Sequence, residues 1–321
     1  MPHKIDISHR TIVFIAVFAL SAWLLYVIRD LLLLLFVAVI FTSALSPAIN
    51  FFVRLNLPRA LGIIITYIIM FAVLGGLLAS ILPPLIEETG RMVTTLPPLL
   101  AEKFNLTNFD TTLFQSELAA FSKGLYGFAL DLFSNLLTII FLVVLSFYLL
   151  LEKENLQARA ATLFIGQEER VKNLFVKIED KLGAWLRGQL LLSVIIGVLV
   201  YIGLIVLGIP YALPLALFAG ILEVVPVIGP IVSALPAVGL AFTISPVLAG
   251  GVTAMYFIVQ QLENHVIVPQ VMKRAVGLNP LVVILAIAVG GRLLGVVGGI
   301  LAVPITVVAQ IIVADLLKER K

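Results

Sequence analysis

The 321-residue sequence has no cysteine, which excludes a disulfide framework and thiolate chemistry. It is also short of charge. Only 12% of its residues are Asp, Glu, Lys or Arg, about half of the roughly 25% carried by soluble domains. With 61% hydrophobic residues and a mean hydropathy of +1.17, it cannot cover a water-soluble surface. There is no Walker A loop, so ATP-driven transport by this chain alone is not expected. No Ser/His/Asp or paired-carboxylate set is evident, so no enzyme is expected, and no cofactor. His265 has no second metal-type ligand at useful spacing, which argues against zinc. The net charge of +3 is spread over loops rather than gathered into a nucleic-acid face. The weak alternation of an outer-membrane barrel is missing too.

What is present is a series of apolar runs such as Leu31–Ile40, several of them long enough to cross a hydrocarbon core of roughly 30 Å as helices. The expected class is an all-α polytopic membrane protein with about seven or eight segments. The first runs Thr11–Ile28, has the form of a signal peptide but reads as a retained helix because it is long and no small-x-small cleavage site follows it, and ends in a short polar turn at Arg29-Asp30. The second covers Leu31 to about Phe52. The third is Ala60–Leu82, with Pro83-Pro84 as its stop; residues 1–82 make up the N-terminal helices. Residues 83–131 form an acidic amphipathic region, expected outside the cytoplasm. Residues 132–151 supply another span. Residues 152–187 carry Lys153, Arg159, Arg170, Lys172, Lys177, Lys181 and Arg187, with Leu174, Ile178, Leu182 and Trp185 at helical spacing. The positive-inside rule then places this region, the 54–59 loop and both termini in the cytoplasm.

Residues 188–321 form the expected transport core. After a span at 188–207 the pattern breaks. Residues 211–245 are interrupted by Pro214, Glu223, Pro226, Gly229, Pro230 and Pro236, and residues 280–316 by Gly290, Gly291, Arg292, Gly295, Gly298, Gly299 and Pro304. Each stretch has the length of a broken or re-entrant hairpin, and an unbroken helix over 247–263 separates them. Non-helical backbone at membrane depth is tolerated only where protein or a cavity satisfies it. Paired breaks of this kind point to a transport site, although glycine and proline also merely kink packed helices.

Candidate pathway residues follow from cost. Glu223 is flanked by apolar residues, and a lone carboxylate there costs about 2.5–3.5 kcal/mol on insertion scales, so it needs a partner or a proton. The alternative is a hydrogen bond to backbone freed beside Pro226. Pro226, Gly229 and Pro230 set a tight turn whose freed carbonyls can face water or a cation. Gln260, Glu263 and Asn264 share a helix face; they read as an ion or solute ladder or as an ordinary polar helix end, and the second reading is preferred for His265. Arg292 sits between glycines, where it can pair with Glu223, bind an anion or snorkel. Asp315 reads as structural.

Several stretches together resemble the autoinducer-2 exporter family of bacterial inner-membrane proteins, also known as the PerM-like permeases. They are Leu186-Arg187-Gly188-Gln189, Glu223 to Pro236, Gln260 to Asn264, Val268-Pro269, Gly277 to Pro280, and Gly290-Gly291 through Pro304. The resemblance covers the whole chain and is strongest over 180–310. It implies an exporter in the bacterial inner membrane, with autoinducer-2 export or Na⁺(Li⁺)/H⁺ antiport as activities. It also implies a homo-oligomer, a pentamer among the possibilities. The partners expected are therefore a small-molecule or cation substrate, the lipid bilayer and further copies of the chain.

Three readings of function come from this. An exporter of a small polar solute needs a roomy polar cavity lined from both hairpins. A monovalent cation/proton antiporter needs a compact site around Glu223. A non-transporting scaffold acting through 83–131 and 152–187 does not need Glu223 at all.

Overall fold

The computed structural model describes residues 9–103, 136–226, 228–272 and 278–318. All regular structure among them is helical, as lipid demands of a chain that must satisfy its own backbone. In order the elements are α1 (His9–Val27), α2 (Arg29–Arg54), α3 (Arg59–Lys103), α4 (Leu136–Leu151), α5 (Lys153–Thr162), α6 (Glu168–Val206), α7 (Ala212–Leu222), α8 (Ile228–Ile244) and α9 (Pro246–Leu262). A π-helical turn over Glu263–Ile267, α10 (Val268–Val271) and α11 (Pro280–Lys318) complete it. The α2 helix, the first 23 residues of α3, and α6 are long and apolar enough to cross a membrane; α11 is so by length and composition but is kinked at Gly295, and α4 with α5 makes a pair bent by 71°. This is the all-α polytopic class expected.

Local boundaries differ from the sequence expectation in three places. Arg29 and Asp30 do not form a turn: they open α2, and the helical hydrogen bonds Ile28 N→Leu24 O and Leu32 N→Ile28 O, both 3.0 Å, carry the chain through the junction. An acidic residue in a first helical turn is favourable beside the N-terminal dipole, and Arg29 lies over the Tyr26 ring. Pro83-Pro84 do not stop α3, which continues to Lys103; each proline deletes one donor, and the turns on either side hold the helix. Gly188 marks no boundary either, because α6 runs unbroken for 39 residues, about 58 Å. The charges expected over 104–131, the start of the fourth segment at 132–135, Lys273-Arg274, Gly277 and the two terminal tails lie outside the described residues.

Three apolar clusters hold the bundle. Ile49, Ile63, Tyr67 and Leu150 join α2, α3 and α4, and Tyr67 Oη meets Ser146 Oγ at 2.7 Å inside that cluster. Ile40, Leu182, Trp185, Leu301 and Val303 join α2, α6 and α11. The largest cluster, which includes Val200, Leu204, Leu215, Ala237, Leu240 and Val252, joins the apolar half of α6 to α7, α8 and α9.

Polar contacts gather one end of the bundle. Arg59 reaches Leu150 O and Glu154, each at 2.8 Å. Lys153 pairs with Glu179 at 2.7 Å. Arg170 pairs with Asp315 at 2.8 Å. The 54–59 loop, α5, the start of α6 and the end of α11 therefore share this charged end. Pro47 lacks the N–H that Ser43 O would accept from in a regular helix. Arg187 supplies the missing donor, bonding Ser43 O at 3.1 Å and Ala44 O at 3.0 Å. The α2 and α6 backbones meet here so closely that a Cβ on Gly183 would overlap the Ser43 carbonyl.

Candidate functional site: a buried glutamate pair at a broken hairpin

The α7 and α8 helices form the first break. With 11 and 17 residues they measure about 16 and 25 Å, and α7 is too short to span alone. Gly208 and Tyr211, both at positive φ, turn the chain from α6 into α7, which packs back along α6. Small residues allow this: Gly197 and Gly220 face each other across the contact. At the tip, Val225 N bonds Leu222 O at 2.9 Å and Ile228 N bonds Pro226 O at 2.8 Å. These are the carbonyls that Pro226 and Pro230 leave without a helical donor, so the turn closes on itself. A Cβ on Gly229 would overlap the Leu222 carbonyl, which makes glycine obligatory there. Pro226 and Pro230 are half-buried and Gly229 buried; all three shape the tip.

Glu223 sits at this break with 1% of its surface exposed. Its backbone carbonyl accepts from Gln189 Nε2 of α6 at 2.7 Å, and Gln189 is itself buried. Its side chain faces that of Glu263. No amide, hydroxyl or backbone donor reaches Glu223 Oε2, which is fully buried. Glu263, 5% exposed, opens the π-helical turn after α9. Such turns insert an extra residue and re-aim a side chain, and they occur often at functional positions. Gln260 Nε2 holds Glu263 Oε2 at 3.1 Å and approaches Asn264 Oδ1 at 3.5 Å. Asn264 is exposed, so of the polar helix end only Gln260 and Glu263 turn inward. His265 is exposed and its Nδ1 lies 3.0 Å from Gln261 O, an ordinary local contact. Tyr256 Oη donates to Ser233 O at 3.3 Å and ties α9 to α8.

Two bare carboxylates facing each other in an apolar setting repel, so such a pair favours binding a proton or another small cation between them.

The second hairpin lies in α11. Its 39 residues contain one non-helical position, Gly295, at φ 63° and ψ −145°. Gly290 and Gly298 would be about 12 Å apart along a straight helix, yet a Cβ on either would overlap the other's carbonyl. The chain thus reverses at Gly295, and two arms pack through glycine. The Arg170–Asp315 pair and the contacts of Leu301 and Val303 with Leu182 and Trp185 lay the second arm along α6. Arg292 is exposed and makes no ion pair with Glu223; of its alternatives the pairing is not formed, and Glu263 takes the place facing Glu223. Asp315 is structural, as read from the sequence.

Gln189 and Ser193 were not singled out as site residues from sequence. The available signal was their i, i+4 spacing in an otherwise apolar stretch of α6, continued by Gly197. The charged end holds a cavity of about 380 Å³ lined by α2, α5 and α6 residues such as Asn50, Arg54, Lys153 and Arg187; no residue of the first hairpin lines it.

Comparison with known proteins agrees with this architecture. The profile described as AI-2E family transporter matches residues 12–318. The Bacillus subtilis (strain 168) protein YrrI is 31% identical, over 93% of this chain and 89% of its own. The AI-2 transport protein TqsA of Escherichia coli (strain K12) is 28% identical, over 89% and 85%. A sodium-lithium/proton antiporter of Halobacillus andaensis is 26% identical, over 86% of each chain. A multi-pass helical membrane chain matched by that profile over almost its whole length belongs to the AI-2E transporter family.

Proposed function

We propose that this transporter couples its cargo to protons through the Glu223–Glu263 pair, and that the cargo is a monovalent cation of the sodium or lithium kind. The observation that carries this reading is a carboxylate 1% exposed whose facing partner is a second carboxyl group. Burying such a group in an apolar membrane segment is costly unless it binds a counter-charge. Proton loss leaves two carboxylates, and one entering cation restores the site charge, so exchange is one for one and electroneutral at the pair. The compact setting suits a dehydrated ion better than an organic solute.

A second reading, export of a small polar solute such as autoinducer-2, is supported by the likeness to TqsA. In either case the charged end of the bundle, with the C-terminal end of α11, faces the cytoplasm by its positive charge, the N-terminus is assigned there by Lys4 and Arg10, and the exposed apolar sides of α1 are consistent with a homo-oligomer.

The test is proton flux in proteoliposomes with a pH dye trapped inside and a pH gradient imposed before Na⁺ or Li⁺ is added. The native chain should answer the cation with a pH change, and Glu223→Gln should abolish it. Silence in the native chain sinks the cation reading, and efflux of loaded organic solute from the same vesicles then decides for the second. Unchanged flux in Glu223→Gln leaves a role without Glu223.

A further inference from the structure

Ser193 breaks a pattern kept elsewhere in the bundle. The hydroxyls of Ser43, Ser46, Thr66, Thr253 and Thr306 each bond the carbonyl four residues back, and that of Thr243 the carbonyl three back. A helical serine in an apolar setting does so because nothing else can satisfy it. Ser193 Oγ is buried and bonds nothing. Together with Glu223 Oε2 it completes the set of buried side-chain oxygens and nitrogens without a donor or acceptor among the described residues.

The two orphans lie one turn apart along the α6–α7 contact. Ser193 is one helical turn beyond Gln189, whose amide holds the Glu223 carbonyl at 2.7 Å. Gly220, one turn before Glu223, packs so near that its Cβ would stand 2.8 Å from Ser193 O. Ser193 Oγ and Glu223 Oε2 make no hydrogen bond to each other, so both oxygens are free to take a ligand. Unsatisfied buried oxygens in a native fold call for an explanation, and hard cations are held by oxygen ligands.

We infer that Ser193 Oγ is a ligand of the transported cation, one turn from Glu223 along the α6–α7 contact, and that it sets which alkali cation the site accepts. This rests on the cation reading of the glutamate pair. The hydroxyl supplies a neutral oxygen, so the site holds the ion without adding charge. A proton needs no such ligand because the two carboxyl groups share it directly.

The experiment uses the full chain in the same proteoliposomes, titrating Na⁺ and Li⁺ against native protein, Ser193→Ala, Ser193→Cys and Glu223→Gln. Loss of one oxygen ligand to a charge should raise the half-saturating cation concentration about tenfold or more in Ser193→Ala and alter the Na⁺-to-Li⁺ ratio. Ser193→Cys keeps nearly the same volume but replaces a hard oxygen with a soft sulfur, and should shift in the same direction. Both substitutions remove a group without partners, so thermal stability in detergent should hold. The inference is overturned if both Ser193 variants titrate like the native chain while Glu223→Gln is silent, which leaves the cation reading standing. A native chain that never responds to cations removes both.

Discussion

The two hairpins break for different reasons. The first turns through Pro226, Gly229 and Pro230, and its short arm ends in a buried carboxylate that the rest of the protein was built to meet: Gln189 from α6 fixes its backbone, and Glu263 comes in from the π-turn. The second turns on Gly295 alone, and its arms touch through Gly290 and Gly298 with no charged side chain inside. Proline leaves carbonyls and forces an irregular stretch that can carry a polar group; glycine permits a reversal and contributes nothing chemical. Of two breaks that look alike in hydropathy, one is suited to chemistry and the other to close packing.

The contrast can be attacked by substitution. The largest effect is expected at Gly298. Valine there drives its side chain into the Gly290 carbonyl, and overpacking of this kind costs about 1–3 kcal/mol or more. Thermal unfolding in mild detergent should fall well below the native value, whereas Glu223→Gln, expected to end coupling, should leave it unchanged or raise it. A smaller loss is expected for Asp315→Asn. The Arg170–Asp315 pair is about 30% exposed on each side, so after screening by solvent it contributes about 1 kcal/mol or less; the same melting measurement, repeated in high salt, should show native and variant converging. Smallest is Arg292→Gln. The side chain is exposed and unpaired with Glu223, so stability should change by less than about 0.5 kcal/mol and coupled flux by less than twofold. A large transport defect in Arg292→Gln would assign chemistry to the second hairpin and break the comparison.

Much of this was legible in the chain. Apolar runs gave the class, because a bilayer allows few alternatives. Proline and glycine marked both reversals, since each acts on its own backbone. Glu223 and Glu263 stood out singly because a carboxyl group in an apolar stretch is conspicuous. Their pairing did not, since 40 residues and two helices separate them and no spacing rule crosses that distance. Gln189 and Arg187 were opaque for another reason: each bonds a backbone carbonyl, and a carbonyl has no residue identity to read. Pro83-Pro84 misled because a proline pair usually ends a helix in water.

The reversal at Gly295 also bears on how the protein enters its membrane. A hairpin with both ends on one side asks the insertion machinery to move no hydrophilic loop across the bilayer. The first hairpin carries only Glu223, and the second only Arg292 before Asp315. Folding back in this way, each hairpin would carry a single charged side chain into the apolar layer, which is all that its insertion has to accommodate.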